Sequence, residues 1–531
     1  MSIEIRIASI TSSGGSRIDL PAAGIVCIVG ANNVGKSQAL RDIAMLCSSP
    51  QPTPIAITDL ELSRRVVDPA EVEPFLSSAG ILQQQQPGEM KFYAPVHGGQ
   101  SISSSHFLSS ITQGGRFLGT ATDFLVWRAS AGSLVSAATG SMGAGGMGAQ
   151  GNPLSRLFRD GTLEDELSQL AMQTFGIPLI LDRINGNVLL RVGDVDIEVP
   201  QLNRPTLAYA DAVAALPTLD SQGDGVKSFI GLALNVIAGH AQIMLIDEPE
   251  AFLHPGQARA LGRWLASEAI RRDRQIFIAT HDRDLLLGML DGGAASTVHI
   301  VRVVRDTTGN KLYELPPKMI SSVWADPVLR YSNVLQGLFH KRVVVCESDA
   351  DCRFYSAVLD EVATNSGQRS QADDILFVPG GGKQRVATLT TALVSLGVEA
   401  NAILDFDVLN VRTTIKEIVE AVGNVWSPDM DRHYIDFANV ANNQKLWGQL
   451  KNQGLSGVPA GSAYLACENL LRLLHDRGVL VLSGGEMEDF NKSFGLHGSA
   501  WVSKMLEIDG HKTTPPAQEL VGQLLNGQLR P

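Results

Sequence analysis

The chain has 531 residues, 44% hydrophobic and 18% charged, and its 43 Lys and Arg against 55 Asp and Glu give a formal charge of −12. Length and composition imply a globular protein of about three domains with large cores, and the acidic balance excludes nucleic-acid binding through bulk charge, leaving local basic patches for any such contact. Five scattered cysteines (Cys27, Cys47, Cys346, Cys352, Cys467) without metal-type spacing argue against a disulfide framework, and with no signal-peptide core and no apolar run of about 18 residues the expected setting is the cytoplasm, with no membrane span.

Ile3 to Ile10 alternates apolar and polar residues, as a half-exposed strand does, and Gly24–Val29 is an apolar run suited to a buried strand. Gly30-Ala31-Asn32-Asn33-Val34-Gly35-Lys36-Ser37 then matches the P-loop pattern at every fixed position, and apolar residues at helical spacing follow from Gln38 to Leu46. Glycines let backbone N–H groups curl round phosphates, and a helix N-terminus adds a favourable dipole. Lys36 is expected to reach the β- and γ-phosphates of ATP and Ser37 to hold Mg²⁺, with Asn33, Gly35 and Gln38 completing the nucleotide contacts. The first two strands are expected to open one ATPase sheet.

Residues 50 to 205 read differently. Pro50, Pro52 and Pro54 break the pattern, Gln83 to Gln86 is a polar run, and Gly132 to Gly151 is nearly all Gly, Ser, Ala and Met, the composition of a mobile loop. A helix is expected over Leu163–Phe175, then strands at Leu179–Asp182 and Val188–Val192 joined as a hairpin by Asn185-Gly186-Asn187. Residues 61–204 are therefore expected to be an insertion within an ATPase domain built from 1–60 and 205–315.

A polar, glycine-containing turn, Ser221 to Ser228, precedes a helical stretch, Phe229 to Ile237. Ile243–Ile246 ends in Asp247-Glu248-Pro249-Glu250, a buried parallel strand with carboxylates at the edge where ligands of open α/β sheets bind. Asp247 is expected in the Mg²⁺ shell, and Glu248 is expected to polarise the attacking water. Gln275–Ala279 ends in Thr280-His281-Asp282, which puts His281 at the equivalent edge of a neighbouring strand, where it is expected to act in reach of the γ-phosphate.

These motifs, in this order, resemble an ABC-type ATPase head of the kind used by structural-maintenance-of-chromosomes (SMC) proteins. The resemblance implies that Ser221 and Gly223, in the glycine turn, cap ATP held by another subunit, so that ATP drives dimer closure. The turn departs from the usual Leu-Ser-Gly-Gly-Gln. The insertion stands where relatives place coiled-coil arms but is too short and irregular for an arm, so a compact dimerisation module is expected.

Asp306 to Leu338 has the composition of a connector, with Pro316-Pro317 and Asp326-Pro327, and the domain boundary is set at 316–340. Three apolar runs follow. Arg342–Cys346 leads into Glu347-Ser348-Asp349-Ala350-Asp351, Ile375–Val378 into Pro379-Gly380-Gly381-Gly382-Lys383, and Asn401–Leu404 into Asp405-Phe406-Asp407. Such runs predict a small parallel sheet with acids gathered at one edge, and hard oxygen ligands of that kind suit Mg²⁺ or Mn²⁺. The pattern resembles a Toprim domain over 341–531, which implies Glu347, Asp351, Asp405 and Asp407 as metal ligands, with Ser348 where the family has Gly. Glu488, after the run Gly478–Leu482, looks like a late acidic ligand of related nucleases, and Lys504 like their basic residue.

An ABC-type head followed by Toprim is similar to the OLD (overcoming lysogenization defect) family of ATP-linked nucleases, which includes the Gabija nuclease subunit and retron-associated effectors. The resemblance covers roughly the first 60 residues and about 205 to 505. It implies an α/β protein acting as an ATP-regulated, divalent-metal-dependent endonuclease in phage defence. The implied partners are nucleic acid (DNA ahead of RNA), further copies of the chain as a homodimer or tetramer, and a helicase or retron reverse transcriptase. The alternative is a non-nucleolytic SMC-like ATPase serving DNA repair or sensing as a scaffold. Toprim domains also serve topoisomerases, which need a tyrosine nucleophile. Tyr355, expected on a helix after Glu347, is read as core, so water is the expected nucleophile.

Overall fold

A computed structural model describes residues 3–66, 68–86, 89–94, 101–138, 142–143, 152–201, 204, 206–291, 297–315 and 333–527. They fall into two compact units, the first over Met1–Val29 and Asn33–Pro317, the second over Gly30–Asn32 and Lys318–Pro531.

The first unit is built on a six-stranded sheet of β1 (Gly24–Val29), β2 (Val126–Ser130), β3 (Ile243–Asp247), β4 (Gln275–Ala279), β5 (Val298–Asp306) and β6 (Gly309–Leu315). The spatial order is β6-β5-β1-β4-β3-β2. All neighbours are parallel except the β5–β6 hairpin. Every residue of β1 and β4 is buried, as strands covered on both faces require. Helices Lys36–Ser48, Asp224–Ala238, Pro255–Arg271 and Arg283–Leu290 follow the strand ends or precede the next strand. Local chemistry sets their starts. Pro255 stands at N1 behind a His254–Gln257 capping box, and Asp282 caps the next helix by accepting from the Leu285 N–H.

Four expectations change. Ile3–Ser12 does not join the central sheet; it pairs antiparallel with Arg17–Asp19 and Ile57–Val66 in a separate three-stranded sheet. It is also more deeply covered than half-exposed. Arg6 is buried there, and its terminal nitrogens give hydrogen bonds to Gln242 Oε1 at 3.0 Å and to the Asp273 carbonyl at 2.6 Å. Val126–Ser130, within the expected insertion, is the edge strand β2, in parallel register with β3. The glycine-rich stretch begins as a helix, Ala131–Ala138, with Leu134 and Ala138 buried; residues 139–141 and 144–151 lie outside the described residues. The compositional connector from Asp306 includes β6, and Asn333–Phe339 is a 3₁₀ helix; 316–332, with Pro316-Pro317 and Asp326-Pro327, lie outside the described residues. Elsewhere in 61–204, Gly161–Phe175 is a helix, and Leu179–Asp182 pairs antiparallel with Asn187–Val192.

The second unit has a four-stranded, all-parallel sheet of β7 (Arg342–Cys346), β8 (Ile375–Pro379), β9 (Glu399–Leu404) and β10 (Val479–Val481), in the order β8-β7-β9-β10. Helix Asp349–Ser366 starts at a Ser348–Asp351 capping box and ends at Gly367, whose φ of 70° suits glycine. Its buried face, with Phe354, Tyr355 and Val358, packs in one core with Phe377, Trp501 and Val521.

Helix Asp224–Ala238 is buried without a break from Ser228 to Ala238. A Cβ added at Gly231 would lie 2.1 Å from the Leu134 carbonyl oxygen, so the Ala131–Ala138 helix reaches this backbone through a glycine gap. Gly231→Ala should lower unfolding stability by about 1–3 kcal/mol through overpacking, although alanine is the better helix former. Urea melts of the two proteins measure this, and equal midpoints would show that the helix is not seated on Gly231.

Candidate functional site

The first site follows from strand register. Asp247 pairs with Ala279 and Ala279 with Ile28, so β3, β4 and β1 end level. The ladder continues one step past them, with Glu248 N–H donating to the Ala279 carbonyl at 2.9 Å and Thr280 N–H to Ile28 at 3.1 Å. The P-loop turns sharply, with positive φ at Gly30 (148°), Asn33 (61°) and Gly35 (103°). Gly35 then leads into helix Lys36–Ser48.

Ser37 Oγ donates to Asp247 Oδ1 at 2.8 Å. Adjacent oxygens around an octahedral Mg²⁺ at about 2.1 Å stand about 3 Å apart, so this pair fits one shared ion. Lys36 is 9% exposed. Burial lowers its pKa, opposed by Glu248, Asp247 and Glu250. Burial likewise raises Asp247, against the hydrogen bond from Ser37. His281 Nδ1 lies 3.1 Å from Glu248 Oε1 and 3.9 Å from Glu250 Oε1. Glu248 holds a left-handed φ of 50°.

Ser221 closes a 3₁₀ turn, Leu219–Ser221, and Gly223 caps the helix, which starts at Asp224, earlier than expected from sequence. A Cβ on Gly225 would come within 2.5 Å of the Phe252 carbonyl oxygen, so this turn sits against the chain just beyond the Asp247–Glu250 motif. Gln38 Nε2 runs along its own helix to Asp42, at 2.7 Å. Asp42 in turn accepts from the backbone N–H groups of Ile55, Ala56 and Ile57.

Two residues here carried no role in the sequence reading. Glu250 is 5% exposed and accepts from Thr280 Oγ1. Burial pushes its carboxyl up to about 7. Asn310, on β6, gives its side-chain N–H to the Val34 carbonyl at 2.5 Å. The Asp-Glu-Pro-Glu motif pointed to Glu250, whereas nothing in the sequence around Asn310 signals a link to a loop 276 residues away.

The second site repeats the arrangement. Cys346 pairs with Pro379 and with Ile403, so Glu347, Gly380 and Asp405 leave the sheet at nearly one level. Asp405 N–H donates to Glu347 Oε1 at 3.1 Å. Burial, then Glu347, Asp351, Glu486 and Asp407 in turn, push Asp405 up to about 9. Burial and Asp407 push Glu347 to about 7. Asp407 is paired with Lys383 Nζ at 2.9 Å.

The structure thus brings Glu347, Asp405 and Asp407 together. Asp351 also takes the N–H of Ser348 at 2.8 Å as half of its capping box, and burial raises its pKa. Lys504 pairs with Glu507 on its own helix, 3.2 Å away. Cations beside the acids include Lys383, on Asp407, and Lys451, whose Nζ lies 3.0 Å from Glu486. Glu488 accepts from the Gly498 N–H at 2.6 Å. Among the described residues, Glu486, Glu488 and His497 form the group of three whose ligand atoms lie within 4.8 Å of one another. Glu347, Asp405 and Asp407, half-buried and mutually repelling, fit a divalent ion's charge. Beside Glu486 lies a cavity of about 860 Å³ whose walls include Arg472, His475, Leu482 and Phe490. Tyr355 is 1% exposed, its ring stacked on Phe377 at 6.1 Å and its hydroxyl without a hydrogen-bond partner among the described residues.

Residues 212–288 match the family model described as "AAA domain, putative AbiEii toxin, Type IV TA system". No curated protein matches the chain. Similar solved structures include an SMC head bound to the C-terminal winged-helix domain of ScpA (13% identity, 58% of this chain and 97% of that one, TM-score 0.34). The SMC head domain from Thermotoga maritima is 12% identical over 60% of this chain and all of its own, with a TM-score of 0.30. An SMC head from Pyrococcus furiosus with an extended coiled coil, bound to the C-terminal domain of ScpA, gives 10%, 60%, 98% and 0.32. The P-loop, the Asp247–Glu248 strand end and the His281 edge are assembled on one sheet, and the stretch carrying the last two matches a model of an AAA-type domain. Among the described residues no helix is long and apolar enough to cross a membrane.

The raised acids make a pH prediction. Glu347 and Asp405 keep protons in the folded chain that the unfolded chain has released, so their contribution is fully present below the ordinary carboxylate range near pH 4. It is lost as pH rises through about 7 and about 9. Asp405→Asn carries no charge at any pH. In chelator it should melt above wild type at about pH 9, with the gap closing toward about pH 4. Thermal melts across that range test this, and parallel curves would contradict it.

Proposed function

We propose that the chain is an ATPase-controlled, divalent-metal-dependent nuclease of OLD type, with a Toprim-like domain over 341–531. The observation carrying the nuclease half is the convergence of Glu347, Asp405 and Asp407 at the C-terminal edge of an all-parallel sheet, with the first two held well above the usual carboxylate range. Buried acids that repel one another without a cation are costly unless a ligand compensates them. Glu347, Asp351, Asp405, Asp407 and Glu488 would hold Mg²⁺ or Mn²⁺, which when bound supplies charge neutralisation and an activated water. Lys383 orients Asp407 through their ion pair. Tyr355, enclosed among Phe354, Phe377 and Trp501, has no path to a phosphodiester, which supports hydrolysis over strand passage. DNA is the proposed substrate, in phage defence.

In the ATPase half, Lys36 neutralises phosphate charge, Ser37 and Asp247 hold Mg²⁺, and Glu248 takes the proton of the attacking water. His281 holds the Glu248 carboxylate through their 3.1 Å contact. Ser221 and Gly223 complete the site of a second copy, making a homodimer or larger assembly, with the region 61–204 contributing to dimerisation. A helicase or reverse transcriptase is the proposed further partner.

Glu248→Gln should bind ATP yet lose turnover by at least about a hundredfold, since an amide cannot take the proton. Nucleotide-binding and phosphate-release assays check both halves, and unchanged turnover would remove Glu248 from its role.

Supercoiled plasmid with Mg²⁺ or Mn²⁺ should become nicked circles and then linear fragments. Asp405→Ala or Glu347→Ala should abolish cutting without changing ATP binding. Lys36→Ala should alter how cutting responds to ATP. Detergent-quenched denaturing gels decide the chemistry: protein-linked ends would show a tyrosine nucleophile, and no cutting of plasmid or RNA by wild type would favour the scaffold reading.

A further inference from the structure

Asn310 joins three parts of the first unit. Its backbone N–H donates to Ser13 Oγ at 2.9 Å, and its carbonyl accepts from Gly14 N–H at 2.8 Å. Both partners lie in the turn between strands Ile3–Ser12 and Arg17–Asp19 of the small antiparallel sheet. Its side chain crosses to the P-loop and gives Nδ2–H to the Val34 carbonyl. Asn310 itself is 4% exposed. A Cβ on Gly35 would meet Asn310 Nδ2 at 3.1 Å, so the side chain lies close against the last loop glycine.

A trans peptide is planar, with its C=O and N–H on opposite sides. No cis peptide occurs among the described residues. Holding the Val34 carbonyl toward Asn310 therefore turns the Gly35 N–H the other way. P-loops bind phosphate with backbone N–H groups, and the amide entering the helix N-terminus is among those placed to do so. Without a fixed carbonyl, a peptide next to a glycine of φ 103° is free to rotate.

We propose that Asn310 is a positioning residue for the nucleotide: it fixes the Val34–Gly35 peptide so that the Gly35 N–H is presented to the phosphates. The inference rests on the reading of Gly30–Ser37 as the ATP site. Asn310 touches no phosphate itself. Its backbone bonds to Ser13 and Gly14 set where its amide stands, so the small sheet supplies the anchor.

The test measures ATP affinity by titration calorimetry and KM against kcat by phosphate release, for wild type, Asn310→Ala, Asn310→Asp, Ser13→Ala and Lys36→Ala, with melting temperatures alongside. Asn310→Ala should weaken ATP binding about three- to tenfold, mostly as KM, the scale of one hydrogen bond. Asn310→Asp is isosteric but sets an acceptor against the Val34 carbonyl, so it should weaken binding further. Ser13→Ala, which leaves the side-chain bond in place, should lower the melting temperature with less than a twofold loss of affinity. If Lys36→Ala loses ATP while both Asn310 variants bind like wild type, the Asn310 proposal is overturned and the ATP site stands. If Lys36→Ala binds ATP normally, the reading beneath the proposal fails. An equal loss in the Ala and Asp variants, tracking melting temperature as Ser13→Ala does, would reduce Asn310 to a structural contact.

Discussion

Parallel strands ending in register are the constraint on which both sites depend. In β1, β4 and β3 the last paired residues stand side by side, so whatever follows each strand emerges at one edge. The P-loop lies more than two hundred residues before Asp247-Glu248 and Thr280-His281, yet this ladder gathers all three. The same device, at Cys346, Pro379 and Ile403, gathers Glu347, the glycine run and Asp405. A slip of one residue in either ladder would turn side chains to opposite faces and undo the site.

Holding that ladder at its other end are two glutamines that behave like pieces of backbone. Gln242, just before β3, accepts from the Ile5 N–H and donates to the Ile3 carbonyl. Gln275, first in β4, accepts from the Ile7 N–H and donates to the Ile7 carbonyl. An edge of the small sheet is thereby satisfied by side chains of the large one, and buried main-chain groups there find partners without strand pairing. Arg6 closes the seam by sharing Gln242 and reaching the Asp273 loop. The small sheet is thus bound to the nucleotide domain at both ends, through these glutamines and through Asn310.

Much of this was legible from residues alone. Apolar runs of four to six residues followed by an acid, Thr-His or a glycine turn marked β1, β3, β4, β7, β8 and β9, because strands buried on both faces leave a continuous signature. β2 escaped because Val-Trp-Arg-Ala-Ser has no such run, and the Gly- and Ala-rich stretch after it reads as loop until a glycine on a neighbouring helix makes room for it. Lys383 was visible in its motif but not in its contact with Asp407. The link of Asn310 to the P-loop, and the glutamine bridges, were not legible at all: each is a single polar residue whose partner is set by tertiary packing.

Glu248 has a backbone angle that glycine would adopt at ease and that a glutamate holds only when its surroundings insist. Hydrogen bonds on both sides of that torsion hold it: the Glu248 N–H donates to the Ala279 carbonyl of the adjoining strand at 2.9 Å, and the Glu248 carbonyl accepts from the Ala251 N–H at 3.2 Å. The carboxylate thus leaves the sheet from a turn tied at one end to β4 and at the other to the chain that follows Pro249.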